Sequence, residues 1–157
     1  MRSINKRGVT KPLKLRTFRV GPFLFGIFEE EIATVAEWRP PAPLPHAPSA
    51  VLGVVSIQGR MLTVLDPAEL LDETSRQNGI SWNSIVALQG DEQLALAVEQ
   101  ELGAIEMTEA SLQKPPSADN RVVRSVLCEG DQTIDIIEIK ELFSTAMRGC
   151  ERRRRRF

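Results

Sequence analysis

The sequence has few of the residues on which catalysis, metal binding and base stacking depend. It contains no tyrosine, one histidine and two cysteines in 157 residues, and aromatic residues make up 5%. One histidine and two distant cysteines do not supply the three or four ligands of a zinc site. Sparse aromatics argue against a stacking platform for single-stranded nucleic acid. No run approaches the roughly 18 apolar residues of a membrane span, so we expect no metal, no cofactor and no membrane-spanning segment.

Reactive groups are also absent from the positions where a catalytic site needs them. His46 lies among prolines, with no cysteine or acid near it in sequence to form a nucleophilic pair. There is no phosphate-binding glycine loop and no Gly-x-Ser-x-Gly turn. Cys128 and Cys150 cannot form a disulfide framework, which favours a reduced, cytoplasmic protein. The sequence therefore predicts no catalytic residue and an interaction module in place of an enzyme.

Charge is unevenly distributed along the chain. Residues 1–19 carry seven basic residues and no acid, and residues 148–157 carry six arginines and one glutamate. Residues 20–147 carry seven basic and 20 acidic residues, a formal charge of −13, which argues against nucleic-acid binding by the folded part. Arg152 to Arg156 are either a solvated terminus or an electrostatic tether to anionic lipid or an acidic partner. We expect a domain over 13–146 between a disordered basic arm (1–12) and a disordered arginine-rich segment (147–157).

Short apolar runs separated by turn residues predict a β-rich fold. Two runs flank Gly21-Pro22, and later pairs of runs flank Gln58-Gly59, residues 89–93 and residues 129–132. Residues 40–48 hold five of the ten prolines and predict an extended connector. Many short strands with few helices favour small β-barrels over an α/β sheet.

A helix start follows the second strand of the Gln58-Gly59 hairpin. Asp66 stands at the N-cap, Pro67 at the first helical position and Glu69 at the third. Residues 65–71 align with residues 137–143 at an offset of 72, each being an apolar strand end, an acid, a second acid and two apolar residues. This internal repeat predicts two similar lobes.

The stretch from Leu44 to Asp66 resembles the central signature of the CheW-like domains, the adaptor modules of bacterial chemosensory signalling. The matching residues are Leu44, Pro45, Pro48, Gly53, Val54, Gly59 and Asp66. The resemblance extends from about Leu15 to Phe143, with Val35-Ala36-Glu37 matching a Val-x-Glu element and Glu99 standing where the family usually has aspartate. The Asn and Arg of the family's turn are both absent here, and Gln58 precedes Gly59.

The resemblance implies an all-β fold of two packed, five-stranded, SH3-like barrels with short helices. It also implies a non-enzymatic adaptor in the cytoplasm, drawn to the inner membrane through receptors. Its expected partners are the cytoplasmic tip of a chemoreceptor, the regulatory domain of a CheA-type histidine kinase and other CheW-like domains. Carried over by position, the partner-binding candidates are Val35, Glu37, Gly53, Gln58, Gly59 and Arg60.

Two alternatives remain open at the level of the sequence. The loss of the turn arginine allows an array spacer or decoy that binds other CheW-like domains without receptors. Arg60, two residues after Gln58, is predicted to share its strand face and to substitute for the missing guanidinium. The second alternative is a membrane or nucleic-acid tether that acts through the arginine-rich segment.

Overall fold

The computed structural model describes residues 12–71, 79–116 and 120–155, and its strands form two sheets. We call the five-stranded sheet, in the order β3-β6-β7-β5-β4, barrel 1. Its strands are β3 (Ile32–Glu37), β4 (Val51–Ile57), β5 (Arg60–Leu65), β6 (Ser84–Leu88) and β7 (Leu94–Val98). The other sheet, in the order β8-β1-β2-β11-β10-β9, is barrel 2. Its strands are β1 (Leu13–Val20), β2 (Phe23–Phe28), β8 (Gln100–Met107), β9 (Leu112–Gln113), β10 (Val123–Glu129) and β11 (Gln132–Ile137).

Each sheet closes because the strand at one edge continues and pairs with the strand at the other edge. In barrel 1 the chain leaves β3, and Ala42 then exchanges backbone hydrogen bonds of 2.8 and 2.9 Å with Val54 of β4. In barrel 2 the chain leaves β8 through a 3₁₀ turn, and β9 then pairs with β10. Counting β8 and β9 as one bent strand gives two five-stranded barrels, which confirms the predicted all-β class.

The internal repeat is present in three dimensions, with the two halves exchanging hairpins. Strands β4 and β10 begin at Val51 and Val123, and β5 and β11 begin at Arg60 and Gln132, an offset of 72 in both cases. The hairpin β1-β2, from the first half of the chain, pairs with strands of the second half in barrel 2. The hairpin β6-β7, from the second half, completes barrel 1. Each half therefore needs the other to close its barrel.

Three apolar clusters form the core, one inside each barrel and one between the barrels. Barrel 1 is filled largely by small and branched side chains: Val55, Ile57, Leu62, Val64, Ile85, Ala87, Ala95 and Ala97. Barrel 2 is filled by larger ones: Leu15, Phe28, Met107, Leu127, Ile134 and Ile136. The third and largest cluster includes Phe18 and Phe25 of barrel 2, Val86 and Leu96 of barrel 1, and Leu142. Because it draws on strands of both barrels, the barrels form one folding unit.

Two α-helices follow β5 and β11, which are corresponding strands of the repeat. Helix α1 (Pro67–Leu71) begins at the predicted proline, and α2 (Leu142–Arg155) follows a 3₁₀ turn at Ile139–Glu141. The sequence predicted disorder over 147–157, but the structure continues α2 to Arg155, consistent with the high helix propensity of arginine and its favourable position at a helix C-terminus. Residues 1–11 of the predicted basic arm lie outside the described residues. Within the described ranges, no helix combines the length and apolarity that crossing a membrane requires.

Candidate partner-binding surface

The Gln58-Gly59 turn projects from the β4-β5 hairpin of barrel 1. Both residues are exposed and have positive φ, 51° at Gln58 and 79° at Gly59, as a two-residue type I′ turn requires. Arg60 is the first residue of β5 and lies opposite Ile57. Gln58 is therefore in the turn itself, and the expectation that it shares a strand face with Arg60 is wrong, because strand alternation does not extend through a turn of positive φ.

The segment that closes barrel 1 lies beside this turn. Arg39 Nη1 donates a hydrogen bond of 3.1 Å to the carbonyl oxygen of Ser56, two residues before Gln58. The preceding residue, Trp38, packs against Trp82 with ring centroids 5.9 Å apart. These contacts fix the end of β3 next to the end of β4. Glu37, the last residue of β3, is exposed at this edge.

Val35 and Glu37 are two residues apart on β3 and therefore share one face of the strand. Val35 lies opposite Val86 of β6 and is half-buried against the cluster between the barrels. Its side chain thus serves the core and leaves part of its surface accessible. Glu37 has no salt-bridge partner among the described residues.

Gly53 lies inside barrel 1, away from this surface. It is buried at a bulge of β4, with φ of 146°. A Cβ atom there would stand 2.4 Å from the carbonyl oxygen of Ala42, which no relaxed structure tolerates. Gly53 therefore makes room for the closing segment at residues 41–42.

Asp66 holds the start of α1. Its Oδ1 accepts a 2.9 Å hydrogen bond from the backbone N–H of Ala68, while its own N–H donates to the carbonyl of Ala50. Pro67 and Glu69 occupy the first and third helical positions. Burial raises the pKa of Asp66, and the hydrogen bond from Ala68 opposes this shift. Asp66 thus acts within the fold, where a half-buried charge is held by the helix N-terminus.

Two features of the surface were missed by sequence reasoning. Arg39 joins the closing segment to β4, and no local pattern marks that contact. Met61 is 60% exposed on β5, opposite Ser56. The alternation of buried Leu62 and Val64 with their neighbours was a signal for an outward Met61. We define the rim surface as Val35, Glu37, Arg39, Gln58, Gly59, Arg60 and Met61.

A second surface feature is an acidic cleft of about 420 Å³. Its acidic lining residues are Glu30, Glu31, Asp91 and Glu92, and Lys140 also lines it. Glu29 to Glu31 form a 3₁₀ turn in which Glu31 Oε1 is buried without a hydrogen-bond partner among the described residues. Burial raises the pKa of Glu31, and the charge of Arg124 partly opposes this.

Comparisons with known proteins identify the same pattern along most of the chain. The family model for the CheW-like domain matches residues 14–147. The chain is similar to a chemotaxis protein CheW of Rhizobium meliloti (strain 1021), with 25% identity over 139 residues that cover 86% of this chain and 90% of that protein. It is also similar to the protein FrzA of Myxococcus xanthus, with 27% identity over 134 residues that cover 82% of this chain and 84% of that protein.

A solved structure has the same fold. The crystal structure of the scaffolding protein TtCheW from Thermoanaerobacter tengcongensis superposes with a TM-score of 0.75 at 21% sequence identity. The match covers 85% of this chain and 93% of that one. The arrangement of two packed barrels is therefore shared, although four residues in five differ.

Proposed function

This chain belongs to the CheW-like domain family, and we propose that it couples a chemoreceptor to a CheA-type histidine kinase. The family is one of non-enzymatic scaffolds, and the role of the chain is that of an adaptor in bacterial chemosensory signalling. Coupling requires two contacts, one with the cytoplasmic tip of the receptor and one with the regulatory domain of the kinase. The protein then works in the cytoplasm and reaches the inner membrane through the receptor.

The rim surface is the observation that carries this proposal for the chain itself. It combines an apolar side chain that is 60% exposed, Met61, with an exposed acid, Glu37, and a turn of fixed shape. Arg39 and the Ala42–Val54 bridge hold this surface on a closed barrel, so little ordering remains when a partner binds. Apolar anchors flanked by polar groups are typical of protein interfaces.

The test is association of the purified full chain with the CheA-type regulatory domain of its own organism, measured by calorimetry. Reversing the charge at Glu37 with Glu37→Arg is expected to weaken association with the kinase domain or the receptor tip by about tenfold, because a rim charge then opposes the partner's field. The matched control is Asp131→Arg, in the barrel 2 turn that corresponds to the Gln58-Gly59 turn. We expect this control to change the affinity by less than about twofold. Failure of the wild-type chain to bind any such kinase domain would remove the adaptor role.

Gln58 supports a second candidate function, that of an array spacer which binds CheW-like domains and no receptor. The exposed turn carries a neutral amide where the family has an arginine, whose forked donors grip carboxylates bidentately. If the missing guanidinium is the cause, Gln58→Arg creates receptor association in a chain that lacks it. If wild type already binds the receptor tip, the spacer role is excluded and Arg60 is the residue to test next.

A further inference from the structure

Helix α2 presents an apolar pair to solvent. Leu142 and Ala146 are buried against the cluster between the barrels, while Phe143 is 47% and Met147 is 42% exposed. Phe143 and Met147 are four residues apart, one helical turn, and therefore lie on the same face of α2. The other large apolar side chains exposed among the described residues, Leu44, Met61 and Leu102, lie on three separate elements. Within the described parts of the chain, the outer face of α2 is thus the place where two such side chains adjoin on a single helix.

The same helix leads directly into the most basic part of the chain. The backbone of α2 stays helical to Arg155, and residues 148–157 carry six arginines and one glutamate. The match to the family ends at residue 147, so these arginines are an addition to the shared domain. Residues 20–147 carry a formal charge of −13. Any polyanion is therefore attracted to this helix and repelled by the barrels.

We propose that α2 binds the surface of anionic bilayers. Phe143 and Met147 enter the boundary between lipid headgroups and acyl chains, and the net positive charge of residues 148–157 attracts the anionic headgroups. A short apolar face joined to a highly charged segment is the pattern of helices that lie in the plane of a bilayer. Repulsion of the acidic barrels keeps the rest of the molecule off the bilayer. This inference does not rest on the adaptor role.

A bilayer fits the helix better than a nucleic acid does. Both offer phosphates to the arginines, but a nucleic-acid backbone offers no apolar layer to cover Phe143 and Met147. A bilayer and a nucleic acid therefore differ in which residues of the chain they require. Bilayer binding needs the apolar pair and the arginines together, and binding to a nucleic acid needs only the arginines.

The experiment measures binding of the full chain to vesicles that contain phosphatidylglycerol and to vesicles of phosphatidylcholine alone, by cosedimentation at low and high salt. We expect binding to the anionic vesicles only, weakened about tenfold or more when salt shortens the range of the charges from roughly 30 to 3 Å. The double variant Phe143→Ser, Met147→Ser and the variant with Arg152 to Arg156 changed to Gln are each expected to lose at least about tenfold in affinity. Leu102→Ser removes an equally exposed side chain elsewhere and should leave vesicle binding unchanged.

Separate readouts distinguish this proposal from its rivals. Thermal unfolding of all variants should match that of the wild type, because the changed side chains are exposed or lie outside the family domain. Kinase-domain affinity should be unaffected by the α2 variants, so failure of either function leaves the other intact. Equal binding to both vesicle types, or full vesicle affinity without Phe143 and Met147, would overturn the proposal. Tighter binding to duplex DNA than to vesicles would also overturn it. So would self-association that the arginine variant abolishes and that added vesicles do not reduce.

Discussion

In barrel 1, strand β5 leads through Asp66 into α1, described from Pro67 to Leu71, whereas in barrel 2 the corresponding strand β11, 72 residues later, leads through Glu138 and a 3₁₀ turn into a helix of fourteen residues. The backbone entering each turn is the same, because Asp66 N–H donates to Ala50 O and Glu138 N–H donates to Val122 O. The difference lies in the side chains. Asp66 accepts a bond from the first helical turn, and Glu138 makes no cap bond.

The two helices also differ in the contacts that the rest of the repeat makes with them. Asn120 Nδ2 donates to the carbonyl oxygens of Leu70 and Leu71 at 3.3 and 3.0 Å, which provides a donor for two carbonyls of α1. The residue 72 positions earlier is Pro48, whose side chain has no donor. Helix α2 extends from Leu142 to Arg155. The comparison shows that the repeat places the strands alike, while polar side-chain contacts such as those of Asp66 and Asn120 differ between the two barrels.

The largest expected effect concerns the bulge that β4 and β10 have in common. Gly53 and Ser125 occupy corresponding bulges, opposite Val64 and Ile136. Gly53→Ala places a Cβ against Ala42 and strains a φ of 146°, so we expect a loss of about 3–5 kcal/mol in the free energy of unfolding. Ser125→Gly, which removes a buried hydroxyl without a partner among the described residues, should change stability by less than about 1 kcal/mol. Urea unfolding followed by circular dichroism measures both.

A control separates crowding from backbone strain at Gly53. Gly59 also has positive φ, but a Cβ there would meet nothing within 4 Å. Gly59→Ala should therefore lower the free energy of unfolding by only about 1–2 kcal/mol, which is the cost of holding alanine in the left-handed region. Equal losses at both glycines would show that the closing segment 41–42 does not press on β4, and the comparison of the two barrels would lose its main physical difference.

The second prediction tests the contact of Asn120 with α1, which distinguishes the two barrels. Its side chain joins barrel 2 to α1, and its Oδ1 also accepts a 3.0 Å hydrogen bond from Val122 N–H. Asn120→Asp keeps that acceptor but faces the α1 carbonyls with a carboxylate, so we expect a loss of about 2–3 kcal/mol in the free energy of unfolding. Asn120→Ala should cost about 1–2 kcal/mol, because water reaches the freed carbonyls. The reverse order of the two variants in urea unfolding would show that the side-chain amide does not cap α1.

Much of this fold was predictable because local rules act strongly in hairpins. The turns at Gly21-Pro22, Gln58-Gly59 and Glu129-Gly130-Asp131-Gln132 each join the strands that the sequence indicated. Contacts between distant segments were not predictable, because no periodicity encodes them. The pairing of Arg39 with Ser56, the crowding of Gly53 by Ala42 and the cap from Asn120 all depend on how the two halves exchange hairpins.

The extent of α2 was missed for a different reason. The run of arginines indicates a disordered segment by its charge, although arginine favours a helix nearly as well as alanine does. Leu142 and Ala146, buried against the barrels, anchor the first turns of the helix, and the following residues extend it. Composition alone does not reveal such an anchor, because it is formed by residues of both repeats.

The smallest expected effect concerns Asp135, which corresponds to Thr63 of barrel 1. Both are half-buried, and burial raises the pKa of Asp135 from its ordinary value of 3.8. The native state then holds the proton more tightly than the unfolded chain does, so stability falls as pH rises through the window that begins near 3.8 and ends at the raised value. Asp135→Thr should therefore raise the free energy of unfolding at neutral pH by less than about 1 kcal/mol, since solvent screens a partly exposed carboxylate. The gain should shrink on acidification, and Thr63→Asp should show the opposite sign and the same pH trend. A benefit of Asp135→Thr that stays constant from neutral to acidic pH would mean that packing, and not the buried charge, separates the two barrels at this position.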